Sequence, residues 1–357
     1  MINVTKSYLP PIEEYRKYLS KIWDTAWLTN QGPLVQELEQ KLKDYLGVKN
    51  ILFVSNGTIA IQLAIKALEL KGEIITTPFS YVATTTSVIW ENCQPVFADI
   101  DPITFCISPE DIEKRITPNT SAILATHVYG NACDVEKIQA IANKHNLNVI
   151  YDGAHSFGVK IGNESIFNFG DISTISFHAT KLFHTIEGGA IVVNDDELAK
   201  KLFLYRSFGH IGDGYYTIGI NGKNSEFHAA MGLTNLPHVA EIMENRKTSI
   251  ELYRSFLHTE KISHPEKLEN QTENYSYFPV VFENEETLLR VRKNLLDNEI
   301  STRRYFYPSL NNLPYLTTQY SCPISENISC RVLCLPLYYG LEKDSVERIC
   351  NIVNASL

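Results

Sequence analysis

The sequence of 357 residues predicts an α/β protein. The expected architecture is a large domain with a mostly parallel seven-stranded sheet covered by helices, followed by a smaller C-terminal α+β domain. Three observations predict it. Short β-rich runs succeed one another over the first two-thirds of the chain, and helix-period stretches separate several of them. The runs are also near-continuously apolar rather than alternating, as in strands buried on both faces.

Taken in order, the runs are ILFVS (51–55), EIITTP (73–78), PVFADI (95–100), SAILATHV (121–128), VIYDGA (149–154), ISTISF (172–177) and AIVVN (190–194). Helical periodicity is clearest in TIAIQLAIKALEL, after the first run, and in DVEKIQAIANKHN, before the fifth. From about residue 236 the pattern changes. The stretch HVAEIMENRKTSIELYRSFLH reads as a helix, YSYFPVVFE as a strand and EETLLRVRKNLLDNEI as a further helix, before a Pro/Tyr-rich tail. The expected division is therefore 1–235 and 236–357. With no repeat or low-complexity linker between them, the two units are expected to pack closely.

Composition narrows the function classes. A hydrophobic share of 44% and a charged share of 20% are those of a folded globular chain. The formal net charge of -9 argues against a nucleic-acid partner, although a local basic pocket for one phosphorylated ligand stays compatible. No run of roughly 18 apolar residues is present, so no membrane span is expected. The start, MINVTKSYLPPIEEYRKYLS, lacks the pattern of a secretory signal. Seven scattered cysteines then predict a reduced, cytoplasmic protein. Cys330 and Cys334 could share a helix face, but no second ligand pair follows, so no metal site is expected. Gly-x-Gly-x-x-Gly after the first strand and a P-loop are both missing; Gly219 to Lys223 lacks the following hydroxyl.

Three strand ends carry chemistry. The first run ends in Ser55-Asn56-Gly57-Thr58 and a helix begins at once. The unpaired N–H groups and dipole of a helix N-terminus suit a phosphate, and the same residues also suit an ordinary cap. The fifth run ends in Asp152-Gly-Ala-His155, with a carboxylate at the sheet edge where α/β folds bind ligands. Such a carboxylate can keep a basic ring nitrogen protonated or simply cap a turn. The sixth run continues through Ser176-Phe-His-Ala-Thr-Lys181 to Glu187-Gly-Gly189, a loop expected to fold back on the sheet edge. Desolvation there would lower the Lys181 pKa and make the amine a nucleophile for aldehydes. A lysine Schiff base with a carboxylate partner on the ring nitrogen is the protein signature of pyridoxal phosphate (PLP) chemistry. No single element here is specific; the ordered set of phosphate turn, acid, serine and lysine is.

Over nearly its whole length the chain resembles the DegT/DnrJ/EryC1/StrS sugar aminotransferases, within the PLP enzymes of fold type I. The resemblance rests on Trp27 to Pro33, Ser55 to Thr58, Thr77 to Thr84, Pro95 to Asp99, His127 to Gly130, Asp152 to His155, Ser176 to Lys181 and Glu187 to Gly189. It implies that Lys181 holds PLP as a Schiff base and carries the proton. Asp152 would pair with the pyridine nitrogen, His155 would lie beside the ring and Tyr81 would stack on it. Gly57, Thr58 and Ser176 would hold the phosphate, completed by Asn221 from the neighbouring subunit of a homodimer with shared active sites. This chain reads Gly219-Ile-Asn-Gly-Lys-Asn224 where the family usually has Gly-Tyr-Asn-Tyr-Arg-Met, so only the asparagine of that block is kept.

By the same resemblance the reaction moves an amino group from glutamate to a nucleotide-linked keto sugar. The lysine-loop block points to a dTDP-linked 4-keto-6-deoxyhexose aminated at C4, as in surface-polysaccharide (O-antigen) biosynthesis. Amination at C3 is the alternative. Arg303, Arg304 and Tyr307 are expected at the cleft mouth against the sugar nucleotide, since its diphosphate needs cationic partners. Sugar dehydratases of the family carry histidine where this chain has Lys181, which disfavours that activity. A non-catalytic sensor domain and a decarboxylase or lyase of the same fold are weaker alternatives.

Overall fold

A computed structural model describes residues 1–357. Each of the seven runs becomes one strand of a single sheet: β1 (Asn50–Val54), β2 (Glu73–Thr76), β3 (Gln94–Phe97), β4 (Thr120–Thr126), β5 (Asn148–Asp152), β6 (Ile172–Ser176) and β7 (Gly189–Val193). Their order across the sheet is β1-β7-β6-β5-β4-β2-β3. The neighbours β2 to β6 pair in parallel, whereas β7 runs antiparallel to both β6 and β1. The first six runs extend one to three residues beyond their strands, because their last residues leave the ladder to build loops at one edge.

The first helices, α1 (Ile12–Thr25) and α2 (Pro33–Leu46), precede the sheet. The expected stretch after β1 is α3 (Gly57–Ala67), started by Asn56, whose Oδ1 accepts from Ile59 N at 2.8 Å. Next come α4 (Val82–Trp90), α5 (Pro109–Arg115) and α6 (Val135–His145), the last capped by Asp134. α7 (Asp196–Arg206) follows β7, and α8 (Glu226–Asn235) packs against α1 and α2. One apolar cluster joins α2 and α8 to the sheet through Leu38, Leu42, Phe53 and Leu233. Another, with Ile61, Ala64, Ile150 and Leu202, places α3 and α7 on the opposite face. Burial on both faces is what made the strands read as continuous apolar runs.

A separate core forms in the last third. The long helix α9 (Val239–Phe256) leads to β8 (Pro279–Val281), α10 (Glu285–Asp297), α11 (Pro323–Arg331), β9 (Val332–Cys334) and α12 (Lys343–Ser356). β8 and β9 pair antiparallel, and Tyr253, Val280, Leu288, Leu333, Ile349 and Val353 pack together. The first residues run along this layer rather than along the large sheet: Ile2 bridges Ile300, and Leu337 N donates to Val4 O at 3.1 Å.

One buried carboxylate ties the large layer together. Glu226, 2% exposed at the start of α8, accepts from Leu34 N at 2.7 Å and Val35 N at 3.0 Å, capping α2 from a distant part of the chain. Glu226→Ala leaves two buried N–H donors without acceptors, so urea denaturation is expected to show a loss of about 1–3 kcal/mol.

Candidate active site

A cavity of about 470 Å³ opens where the C-terminal ends of β1, β5 and β6 meet the starts of α3 and α4. Its floor carries Gly57, Thr58, Asp152 and Ser176, and its opposite wall comes from Tyr277, Arg303, Tyr305 and Phe306 of the C-terminal unit. Val4 and Thr5 close one side.

The end of the cavity at the start of α3 is shaped by close backbone approach. Helix geometry leaves the Gly57 and Thr58 N–H groups without intrahelical acceptors, while Asn56 satisfies that of Ile59. A Cβ on Gly57 would stand 3.1 Å from the Ser176 Cβ, a tight contact that would push against the serine. Gly189 is pinched harder: a Cβ would lie 2.5 Å from the Asn56 carbonyl carbon and 2.7 Å from Gly57 N. In the ladder Gly189 stands between Val54 and Ser176, so β7 begins against the turn itself.

Reversal at β7 also makes the lysine loop. Residues 177–188 leave β6 and return beside it, closed at the neck by Phe177 N to Gly188 O at 2.8 Å and Thr185 N to Phe177 O at 2.9 Å. Lys181 sits on this excursion and points into the cavity, where Nζ lies 3.3 Å from the Tyr277 hydroxyl. Burial pulls its pKa down to about 8, against the opposing pull of the Asp152 and Tyr81 charges; Arg303 lowers it further.

Asp152, 6% exposed, accepts from Thr84 Oγ1 at 2.8 Å and from Ala154 N at 3.0 Å. Burial raises its pKa, and the Thr84 bond, the Ala154 N–H and the Lys181 charge oppose that rise. Thr84 belongs to a hydroxyl chain, bonding Ser80 at 2.8 Å, which in turn meets Thr126 at 3.1 Å. His155 Nδ1 accepts from Tyr129 N at 3.3 Å, which places the ring proton on Nε2. Its ring stacks on Phe306 and meets the edge of Tyr277 at 4.8 Å. Burial, then the Lys181 charge, drive the His155 pKa well below the ordinary value, so the ring is neutral.

Of the residues singled out in the sequence, Gly57, Thr58, Tyr81, Asp152, His155, Ser176, Lys181 and Arg303 line this one cavity. Arg304 and Tyr307 do not. Consecutive residues of an extended segment face opposite ways, and Arg303 pairs its backbone with Cys334. Arg303 thus faces the cleft over the Tyr305 ring, while Arg304 turns back to Glu285 at 2.6 Å and Cys330 O at 3.1 Å. The Tyr307 ring covers the Arg304 guanidinium at 3.5 Å. Asn221 is exposed and lies outside its own chain's cleft, although the adjacent Gly222 O accepts from Ser55 N at 2.9 Å. Sequence reasoning passed over Thr84, Tyr277 and Thr5. Thr84 stood inside a quoted block at helical spacing from Tyr81; the other two carry no local signal.

Known proteins resemble the chain closely. The model of the family described as "DegT/DnrJ/EryC1/StrS aminotransferase family" matches residues 11–354. A dTDP-4-amino-4,6-dideoxy-D-glucose transaminase of Shigella dysenteriae is 44% identical over 99% of this chain and 98% of its own length. An Escherichia coli protein of the same name is 39% identical at the same coverage. Among solved structures, DesI in the presence of its TDP-sugar product superposes with a TM-score of 0.94 at 30% identity, over 99% of this chain and 92% of that one.

A lysine with its folded pKa below the ordinary 10.5 costs stability at low pH, because the unfolded chain binds the proton more tightly. The cost is complete below about pH 8 and fades between pH 8 and 10.5. Lys181→Met is therefore expected to raise the Tm of the cofactor-free protein at pH 7 by about 2–4 °C, with most of the gain gone at pH 10.

Proposed function

The chain belongs to the DegT/DnrJ/EryC1/StrS aminotransferase family, and on that premise we propose that it uses PLP to move an amino group from glutamate to a dTDP-linked 4-keto-6-deoxyhexose. One observation carries this reading: the helix-start cradle, the buried carboxylate and the desolvated lysine all face a single cavity. The names of the Shigella and Escherichia relatives support the dTDP-linked sugar and amination at C4. Seven unpaired thiols fit a reducing compartment, the cytoplasm, in which sugars for surface polysaccharides are built.

The residues present fit the cofactor. A phosphate would be held by the Gly57 and Thr58 N–H groups and by the Thr58 and Ser176 hydroxyls, where a Cβ on Gly57 would crowd Ser176. When bound, PLP supplies an aldehyde carbon for amine exchange and a ring that accepts the electrons released at the reacting carbon. Asp152 would hold the proton on the ring nitrogen, and the Thr84 and Ala154 bonds favour the ionised carboxyl that this needs, against the burial that raises its pKa. Tyr81 and His155 would flank the ring, and the neutral imidazole brings no second positive charge beside Lys181. Lys181 Nζ would anchor the cofactor and then, released, carry the proton between the two reacting carbons; a pKa of about 8 leaves enough neutral amine for that near pH 7.

Arg303 has no carboxylate partner and faces the cleft mouth, which suits the sugar nucleotide's diphosphate. The homodimer is supported by an exposed apolar arm beside Asn221: Ile211, Tyr215, Tyr216 and Ile218 are 58%, 80%, 67% and 83% exposed. Asn221 at its base would complete the partner's phosphate site.

Borohydride reduction of the yellow holoenzyme is expected to leave a pyridoxyl adduct on Lys181 by mass spectrometry, and an adduct on Lys160 or Lys223 would overturn the assignment. In the same assay series, Asp152→Asn should keep the fold and lose orders of magnitude in 2-oxoglutarate formation with the dTDP-4-keto sugar. Turnover of the 3-keto isomer alone would reject C4 amination but leave PLP in place.

Mixing Lys181→Ala chains with Asn221→Ala chains should restore activity, since each heterodimer regains one intact site. Heterodimers that form and stay inactive would count against a shared site.

A further inference from the structure

Tyr277 stands outside every motif in the chain, on the segment leading into β8, yet its hydroxyl is 3.3 Å from Lys181 Nζ. Its ring is held on three sides: edge to His155 at 4.8 Å, tilted against Tyr129 at 5.6 Å and edge to Tyr305 at 5.5 Å. From behind, Arg246 of α9 pins the same segment, its guanidinium donating to Ser276 O at 3.1 Å. Arg246 is 4% exposed, has no carboxylate partner and leaves its Nε without an acceptor. Burial pushes the Tyr277 phenol well above its ordinary pKa, so it stays neutral and offers Arg246 no counter-charge. A buried unpaired cation is costly, so Arg246 is a demanding way to hold a loop unless the phenol in front of it has work to do.

A phenol can accept from an ammonium and donate to an amine without moving. We propose that Tyr277 is a positioning residue for Lys181, staying bonded to Nζ as the lysine loses and regains its proton and keeping the freed amine aimed into the cleft. This rests on Lys181 being the cofactor lysine. Asp152 and Tyr81 face the same amine and favour its charged form, Arg303 opposes it, and His155 is neutral beside it. None of these groups changes when only the Tyr277 hydroxyl is removed.

The test uses Tyr277→Phe in the full chain. Hydrogen bonds to a charged group are stronger than those to a neutral one, so losing the phenol disfavours the ammonium more than the amine. Reductive methylation of Lys181 in cofactor-free protein, followed by peptide mass spectrometry across pH, should show its midpoint fall by about half to one unit. In the holoenzyme kcat should fall on the order of ten- to a hundredfold with KM nearly unchanged, because the sugar's binding contacts are untouched. Tyr277→His keeps a ring that donates and accepts, and should return the midpoint towards the wild-type value. A wild-type midpoint and kcat in Tyr277→Phe, or a His midpoint displaced as far as that of Phe, overturns the proposal. A borohydride adduct on Lys181 alongside that result confines the failure to Tyr277, whereas an adduct elsewhere defeats the cofactor reading itself.

Discussion

Everything in the cleft depends on how closely β7 starts against the turn after β1. Gly189 is wedged between Val54 and Ser176 in the ladder, with no room for a Cβ against the Asn56–Gly57 peptide. That contact sets where α3 begins, and therefore where its free N–H groups point. It also sets the neck of the loop that presents Lys181, since Phe177 N bonds Gly188 O at that place. Cradle and lysine are thus two products of one steric restriction. A side chain there would displace backbone rather than a flexible tip, and both would move together.

Electrostatics then divide the labour. Asp152 and Lys181 each lie where burial opposes their charge, and each partly restores the charge of the other. Thr84 and the Ala154 N–H add bonds that only an ionised carboxylate accepts fully. Neutral His155 keeps a second cation out of the neighbourhood. The result is a carboxylate whose bonds oppose the cost of its burial and an amine with a pKa of about 8 within a single cavity.

The sheet was legible because burial on both faces writes itself into local composition: each of the seven runs became a strand. The sheet side of the site was legible for a related reason. Asn56–Thr58, Asp152–His155 and Ser176–Lys181 each follow directly from a strand end, so position in sequence is position at the edge. Which strand would run antiparallel was not legible, since β7 is as apolar as its parallel neighbours; only the Gly pair before it hinted at crowding. The opposite wall was hidden for a different reason. Whether Arg303 or Arg304 faces the cleft depends on the pairing of Arg303 with Cys334, distant in sequence and short. Tyr277 reaches Lys181 across 96 residues, and no periodicity encodes that.

The cavity also draws its walls from two parts of the chain that lie far apart in sequence. Cradle, carboxylate and lysine hang from the seven-stranded sheet, while Tyr277, Arg303, Tyr305 and Phe306 come from segments around β8 and β9, and the three aromatic rings pack in one cluster with Ile75 and Tyr151 of the sheet. Substitution of Arg303, which stands outside that shared packing, can therefore reshape what is admitted without disturbing the backbone restriction that holds the reactive groups in the first wall. A scaffold divided in this way can acquire new acceptors by drift in one half while selection holds the other still.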